Sequence, residues 1–223
     1  MSPPCPPPCP PRRYDLLLFD FDGTLADSSL LFDQFVPALA RQRGVAEPLG
    51  GWQALRAMDT RGMLRVLKIR WWQLPGVTRQ MRAAMAANLD QVSLYPGMAD
   101  VLAHLHGQGV QLVVVSSNTR ATVAQVLGPA LPWFSALHCG APLLGKRRVI
   151  ARALRQAGVP AARALSIGDE ARDGQASQAC GMDFVGVAWG LANTAVLQPY
   201  SAFSVLAEPA GLMRCVFPGR ARA

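Results

Sequence analysis

Short apolar runs alternate along this chain with stretches of helical, amphipathic spacing. "LLLF" (Leu16–Phe19) runs straight into Asp20 and predicts a strand over Leu16–Asp20, apolar on both faces as in a parallel sheet. Ser28 or Ser29 then opens a helix to about Gly44. Residues 52–93 read as wholly helical, with amphipathic pieces broken near Pro75-Gly76. At "YPG" (Tyr95 to Gly97) the character changes. Helix 98–107 leads to a strand over Val110–Ser116, and helix 120–127 to a short strand over Ala136–Cys139. Helix 146–157 leads to a strand over Ala164–Asp169, and helix 171–180 to one over Phe184–Trp189. Repeated strand–helix units predict an α/β fold with a doubly wound parallel sheet, whose ligands sit beyond the carboxyl ends of the strands.

The first 13 residues, "MSPPCPPPCPPRR", are proline-rich. Proline lacks an N–H donor, so this tail is expected to be disordered, with a ligand for a proline-recognising domain as the sharper alternative. The expected boundaries are a tail over 1–13, a core over 14–28 and 94–217, and a helical subdomain over 29–93.

The 223 residues suffice for one large domain with an inserted subdomain, and 51% are hydrophobic, so a sizeable core is expected. No apolar run reaches the ~18 residues needed to span a bilayer, and no stretch has the pattern of a secretory signal. The expectation is a soluble cytoplasmic protein with no membrane partner. The net charge is +8, almost all of it from arginine. The arginines are scattered at helical positions and not gathered into a stripe, which argues against nucleic acid. Cys139, Cys180 and Cys215 sit in apolar surroundings and read as free thiols. Cys5 and Cys9 lack the second pair that a zinc site needs. His104, His106 and His138 read as structural.

The acids are distributed unevenly. Asp20, Asp22, Asp169, Glu170 and Asp173 are five of 14 acidic residues and occupy two short loops at strand ends. Carboxylates brought together repel, a cost that a cation removes. Oxygen donors without His or Cys favour a hard ion, so Mg²⁺ is the natural candidate. "GDEARD" alone would also serve as a helix cap, and "DFDGT" alone as an Asp-Gly turn. In the first loop one carboxylate can act as nucleophile and form an acyl-phosphate, while its neighbour two residues on serves as general acid and then base. Gly23 supplies backbone freedom, and the Thr24 hydroxyl can meet a phosphate oxygen. Ser116, Ser117 and Asn118 can cradle a phosphoryl group with hydroxyl, amide and N–H groups. Lys146 is one of only two lysines, a compact point charge able to balance Asp20 and a phosphoryl group. Arg56, Arg61 and Arg65 in the helical segment are candidate contacts to an anionic substrate, with solvated helix faces as the bland alternative.

Taken in order, "DFDGTLADS", "VVVSSN", "GK" and "GDEARD" resemble the motifs of the haloacid dehalogenase superfamily, over roughly residues 14 to 206 and most specifically in the first motif. The resemblance is to its phosphatase members, and among these to phosphoglycolate phosphatase-like proteins with a helical cap. It implies a Rossmann-like core and a cap over 29–93. It implies Asp20 as nucleophile, Asp22 as acid/base, Ser116 as the second-motif hydroxyl and Lys146 as the third-motif lysine. It further implies a magnesium site formed by the Asp20 side chain, the Asp22 carbonyl and Asp169, with Glu170 and Asp173 behind them. The expected activity is Mg²⁺-dependent hydrolysis of a small phosphorylated metabolite by a monomer or homodimer. The cap carries no diagnostic substrate motif. Alternatives are a sugar-phosphate mutase using the same acids, a dehalogenase without magnesium, and a catalytically silent phosphate-binding or regulatory protein. A second aspartate at position 22 argues against the dehalogenase.

Overall fold

The computed structural model describes residues 12–58, 60–142 and 145–218. The chain forms, in order, β1 (Leu16–Phe19), β2 (Ala26–Asp27), α1 (Ser29–Gln42), α2 (Thr60–Val66), α3 (Leu74–Ala87) and β3 (Ser93–Leu94). There follow α4 (Met98–Gly107), β4 (Gln111–Val115), α5 (Arg120–Leu127), β5 (Phe134–His138), α6 (Lys146–Ala157) and β6 (Ala164–Gly168). The chain closes with α7 (Ala171–Gln178), β7 (Asp183–Gly186), α8 (Thr194–Leu197) and α9 (Gly211–Val216).

Five strands make one parallel sheet in the order β5-β4-β1-β6-β7. Leu16 pairs with Gln111 on one side and Ala164 on the other, so β1 is central. All four of its residues are buried. Leu17 and Phe19 face a core shared with Leu102, Leu105 and Leu212, while Leu16 and Leu18 face Ile150, Ala153 and Ala176. Helices therefore cover both faces, which is why the strand sequences are continuously apolar. The chain crosses to opposite sides of β1 through β4 and β6, so the carboxyl ends of these three strands frame the crevice where α/β sheets bind ligands.

β2 and β3 pair antiparallel, Ala26 with Leu94 and Asp27 with Ser93. They bracket α1–α3, which pack around a separate apolar cluster including Val36, Leu39, Leu55 and Leu67. Among the described residues, no helix is long and apolar enough to cross a membrane.

Several details differ from the sequence reading. The helical segment breaks before Pro75. Lys68 takes a left-handed φ of 51° after α2, and Pro75 lies in the first turn of α3, where its missing N–H has no partner to lose. Residues 52–57 form a 3₁₀ helix. The β5 strand begins earlier, at Phe134, and β7 ends earlier, at Gly186. The two-residue strands β2 and β3 and the helix α9, which buries Leu212, Cys215 and Val216, were not anticipated. The proline-rich stretch over residues 1–11, with Cys5 and Cys9, lies outside the described residues. Arg12 and Arg13, assigned to the tail from sequence, contact the folded chain. Arg12 pairs with Asp15 at 2.8 Å, and Arg13 lies over the rings of Tyr14 and Phe203.

Candidate active site

The strand ends bring the two acidic loops together. Asp20 follows β1 directly, and its N–H donates to Ile167 of β6 at 2.9 Å. Asp169 follows β6, Ser116 follows β4, and Lys146 opens α6. Asp20, Asp169 and Asp173 are all buried and each offers a carboxylate oxygen within 4.8 Å of the others. Lys146 Nζ lies 2.8 Å from Asp20 Oδ2 and 2.5 Å from Asp173 Oδ1.

Close packing of glycines makes this approach possible. A Cβ at Gly23, whose φ is +70°, would fall on the Asp169 carboxylate, and one at Gly190 would strike both Asp169 and the Gly23 carbonyl. Asp169 accepts hydrogen bonds from the Leu191 N–H at 2.8 Å and from the Thr24 hydroxyl at 3.2 Å. Thr24 is fully buried, and its hydroxyl is engaged by Asp169. Trp189 Nε1 donates to the Thr24 carbonyl at 3.0 Å and fixes the loop from the far side.

Asp22 has different company. Asn118 Nδ2 donates to both of its oxygens, at 2.9 and 2.8 Å. The Asn118 N–H donates to the Ser116 hydroxyl at 2.9 Å, so the loop after β4 is tied to the loop after β1. Burial first, then the negative charge of Asp20, push the Asp22 carboxyl up to about 7. Burial would raise Asp20 also, but Lys146, then Arg172, reverse this and hold it below the usual carboxylate value. Burial favours the neutral form of Lys146, yet Asp173 and Asp20 keep it charged.

Five carboxylates therefore crowd a site whose paired cations are Lys146 and Arg172. Burial, then Glu170 and Asp20, raise Asp169 well above its ordinary value. An all-oxygen, buried, negatively unbalanced cluster fits a hard divalent cation such as Mg²⁺. Asp173 belongs to the cluster itself. Glu170 lies beside the triad of Asp20, Asp169 and Asp173 and is not part of it: it pairs with Arg172, at 2.9 and 2.6 Å, and accepts from Thr60 of α2 at 3.4 Å.

Of the three arginine candidates, only Arg56 lines the adjoining cleft; it pairs with Asp33 at 2.8 Å. Arg61 and Arg65 are exposed on the far side of α2, because Thr60, Met63 and Leu64 take the inward positions. Sequence reasoning missed two arginines. Arg172 stands among the acids it pairs with. Arg82 of α3 donates from Nε to the Ser117 carbonyl at 2.6 Å and joins the inserted helices to the β4 loop. Nothing in the helical spacing of α3 distinguishes Arg82 from Arg79.

Comparison with known proteins accords with this geometry. The family model described as haloacid dehalogenase-like hydrolase matches residues 17–187. A phosphoglycolate phosphatase of Synechococcus elongatus is 29% identical over 204 residues, covering 90% of this chain and 96% of that protein. A phosphoglycolate phosphatase of Pseudomonas fluorescens is 26% identical, covering 82% of this chain and 72% of that protein. Among solved structures, a haloacid dehalogenase-like hydrolase from Streptococcus pneumoniae superposes with a TM-score of 0.73 at 20% identity, covering 90% of this chain and 97% of that one. A hydrolase from Pseudomonas syringae gives 0.71 at 21% identity, covering 90% of this chain and 96% of that one. These structural likenesses bear on the fold alone.

Proposed function

Because the chain belongs to the haloacid dehalogenase-like hydrolase family, we propose that it is a Mg²⁺-dependent phosphatase. It hydrolyses a small phosphate monoester through an aspartyl-phosphate on Asp20. One observation carries this reading. Lys146 clamps Asp20 at 2.8 Å while Asn118 holds Asp22 separately through both carboxylate oxygens. Lys146 keeps Asp20 ionised, while burial and the charge of Asp20 raise the Asp22 carboxyl to about 7, which suits a nucleophile beside a general acid.

The ionised Asp20 attacks phosphorus in line with the ester bond. As that bond breaks, Asp22 gives its proton to the leaving oxygen. Asp22, now a carboxylate, takes a proton from water, whose oxygen attacks the phosphorus of the acyl-phosphate. Phosphate leaves and Asp20 is restored. Lys146, Ser116 and the backbone of the Ser117–Asn118 turn offset charge on the phosphoryl oxygens, the main demand of phosphoryl transfer. The Asp20 and Asp169 carboxylates and the Asp22 carbonyl would hold Mg²⁺, with Asp173 beside them; when bound, it supplies positive charge to those oxygens. Thr24, Gly23 and Glu170 shape and brace this arrangement. The inserted helices act as a cap over residues 29–93 that excludes water and meets the leaving group. The three described cysteines are free thiols, which supports a reducing, cytoplasmic setting. The curated relatives make phosphoglycolate the first metabolite to assay.

The test is turnover of an aryl phosphate with Mg²⁺. Wild-type protein releases phosphate and Asp20→Asn does not; undiminished turnover by that variant removes Asp20 from the role of nucleophile.

A further inference from the structure

Resting on the reading of the site as a phosphate-monoester hydrolase, we propose that the substrate's organic group is apolar and several carbons long, and that the cleft beside Asp22 receives it. This cleft encloses about 1000 Å³, open solvent included. Asp22 lines it together with an adjoining smaller cleft that shares Phe32, Phe35 and Met81, and Asp20 lines neither. A phosphoryl group attacked by Asp20, with its leaving oxygen on Asp22, therefore directs its organic part into this space.

The walls of the cleft are mostly hydrocarbon, with Asp22, Arg56, Thr60, Ser117, Glu170 and Arg172 as the polar exceptions. Phe32 and Phe35 come from α1, Met63 and Leu64 from α2, and Met81 from α3. Phe32, Phe35, Met63 and Leu64 are half-buried against the helices' own apolar cluster with part of each left to the cleft, and Met81 is 37% exposed. Side chains of this kind usually leave water on folding. Here three separate helices leave them facing the reaction centre, which is the lining expected of a pocket for an apolar ligand.

The arginines of this cleft and of the adjoining one have partners within the protein. Arg56 pairs with Asp33 at 2.8 Å, Arg172 holds Glu170 with two N–H groups, and Arg82 donates to the Ser117 carbonyl at 2.6 Å. A short carboxylated group such as glycolate would have to compete for one of these arginines and would leave the apolar walls wet. An alkyl or aryl group would dry them. The inference therefore departs from the substrate that the relatives' names suggest.

The experiment uses the whole chain with Mg²⁺ and a series of n-alkyl phosphates from ethyl to hexyl. Their leaving alcohols are nearly equal in acidity, so kcat/KM reports contact with the cleft. It should rise roughly fourfold per methylene over the first few carbons, the fold-change that corresponds to about 0.8 kcal/mol per buried CH₂. Hexyl phosphate should exceed phosphoglycolate. The matching alkylphosphonates, whose P–C bond is not hydrolysed, give a second readout by calorimetry: Kd should fall with chain length. Met63→Asp should flatten both series. Flat series in the wild type, or a preference for phosphoglycolate over hexyl phosphate of about tenfold or more, overturns the proposal. If the phosphonates bind with the expected length dependence but no ester is hydrolysed, the cleft assignment stands and the hydrolytic reading fails. If an aryl phosphate is hydrolysed while both alkyl series stay flat, the cleft assignment alone fails.

Discussion

Lys146 and Asp20 meet at 2.8 Å inside the protein, each less than a tenth exposed, although 126 positions separate them in the chain. The sheet makes this meeting possible: β1 delivers Asp20 to the crevice edge, and α6 starts with Lys146 at the same edge. A buried carboxylate keeps its charge only beside such a cation. Replacing the lysine with a neutral residue of similar length removes that support. Lys146→Met is expected to lower kcat by roughly 10²–10³-fold with little change in KM. Lys146→Arg should restore little, because a planar guanidinium does not fit where a point charge sits between Asp20 and Asp173. Steady-state kinetics on an aryl phosphate check both outcomes.

The acidic cluster predicts a stability effect that does not depend on turnover. A cation that binds only the folded protein stabilises it by mass action. Millimolar Mg²⁺ is expected to raise the unfolding midpoint, and EDTA to reverse the rise. Asp169→Asn should have a higher midpoint than wild type without metal, since one repelling charge is gone, and should respond much less to Mg²⁺. Thermal melts at matched ionic strength measure this. A Mg²⁺ response as large in Asp169→Asn as in wild type would contradict the assignment.

Arg82 fastens the inserted helices to the turn that carries Ser117. Arg82→Ala should raise KM by roughly tenfold and change kcat less, since the contact positions the inserted helices and touches no reacting atom. Its unfolding midpoint should stay close to wild type, as for most substitutions at partly exposed positions.

Asp15 ties the start of the sheet to its surroundings through Arg12 and Arg163. Hydrogen bonds from Arg163, then Arg12, hold its pKa below the ordinary carboxylate value. A group lowered on folding contributes stability above its unfolded pKa and loses it as pH falls through the folded one. Asp15→Asn should therefore melt slightly below wild type at pH 7, and the gap should close as the solution is acidified below about pH 4. The comparison of melts over pH checks the sign.

Much of this site was legible in sequence for a physical reason. A strand buried on both faces cannot carry acids inside it, so acids immediately after "LLLF" and "ALSIG" mark the polar edge of the sheet. The parallel α/β pattern then places those edges together. Arg82 was not legible, because its partner is a backbone carbonyl, which leaves no mark on the sequence. Arg172 was hidden among the acids of "GDEARD", although a cation two residues after Glu170 is itself a signal of local pairing. Arg61 and Arg65 differ from Arg56 only in the face of the helical segment they occupy, and that depends on where the segment breaks. The break lies at Lys68, whose left-handed backbone no composition rule announces. The two-residue hairpin of β2 and β3 is too short for any alternation to show.

The central claim is that phosphorus becomes bonded to Asp20. Rapid quenching of the working protein, followed by borohydride reduction, converts an aspartyl-phosphate to homoserine, which peptide mass spectrometry locates. The account predicts homoserine at position 20, only when substrate is present, and none in Asp20→Asn. A reduced residue at position 22 or elsewhere, or steady turnover by Asp20→Asn, would contradict it.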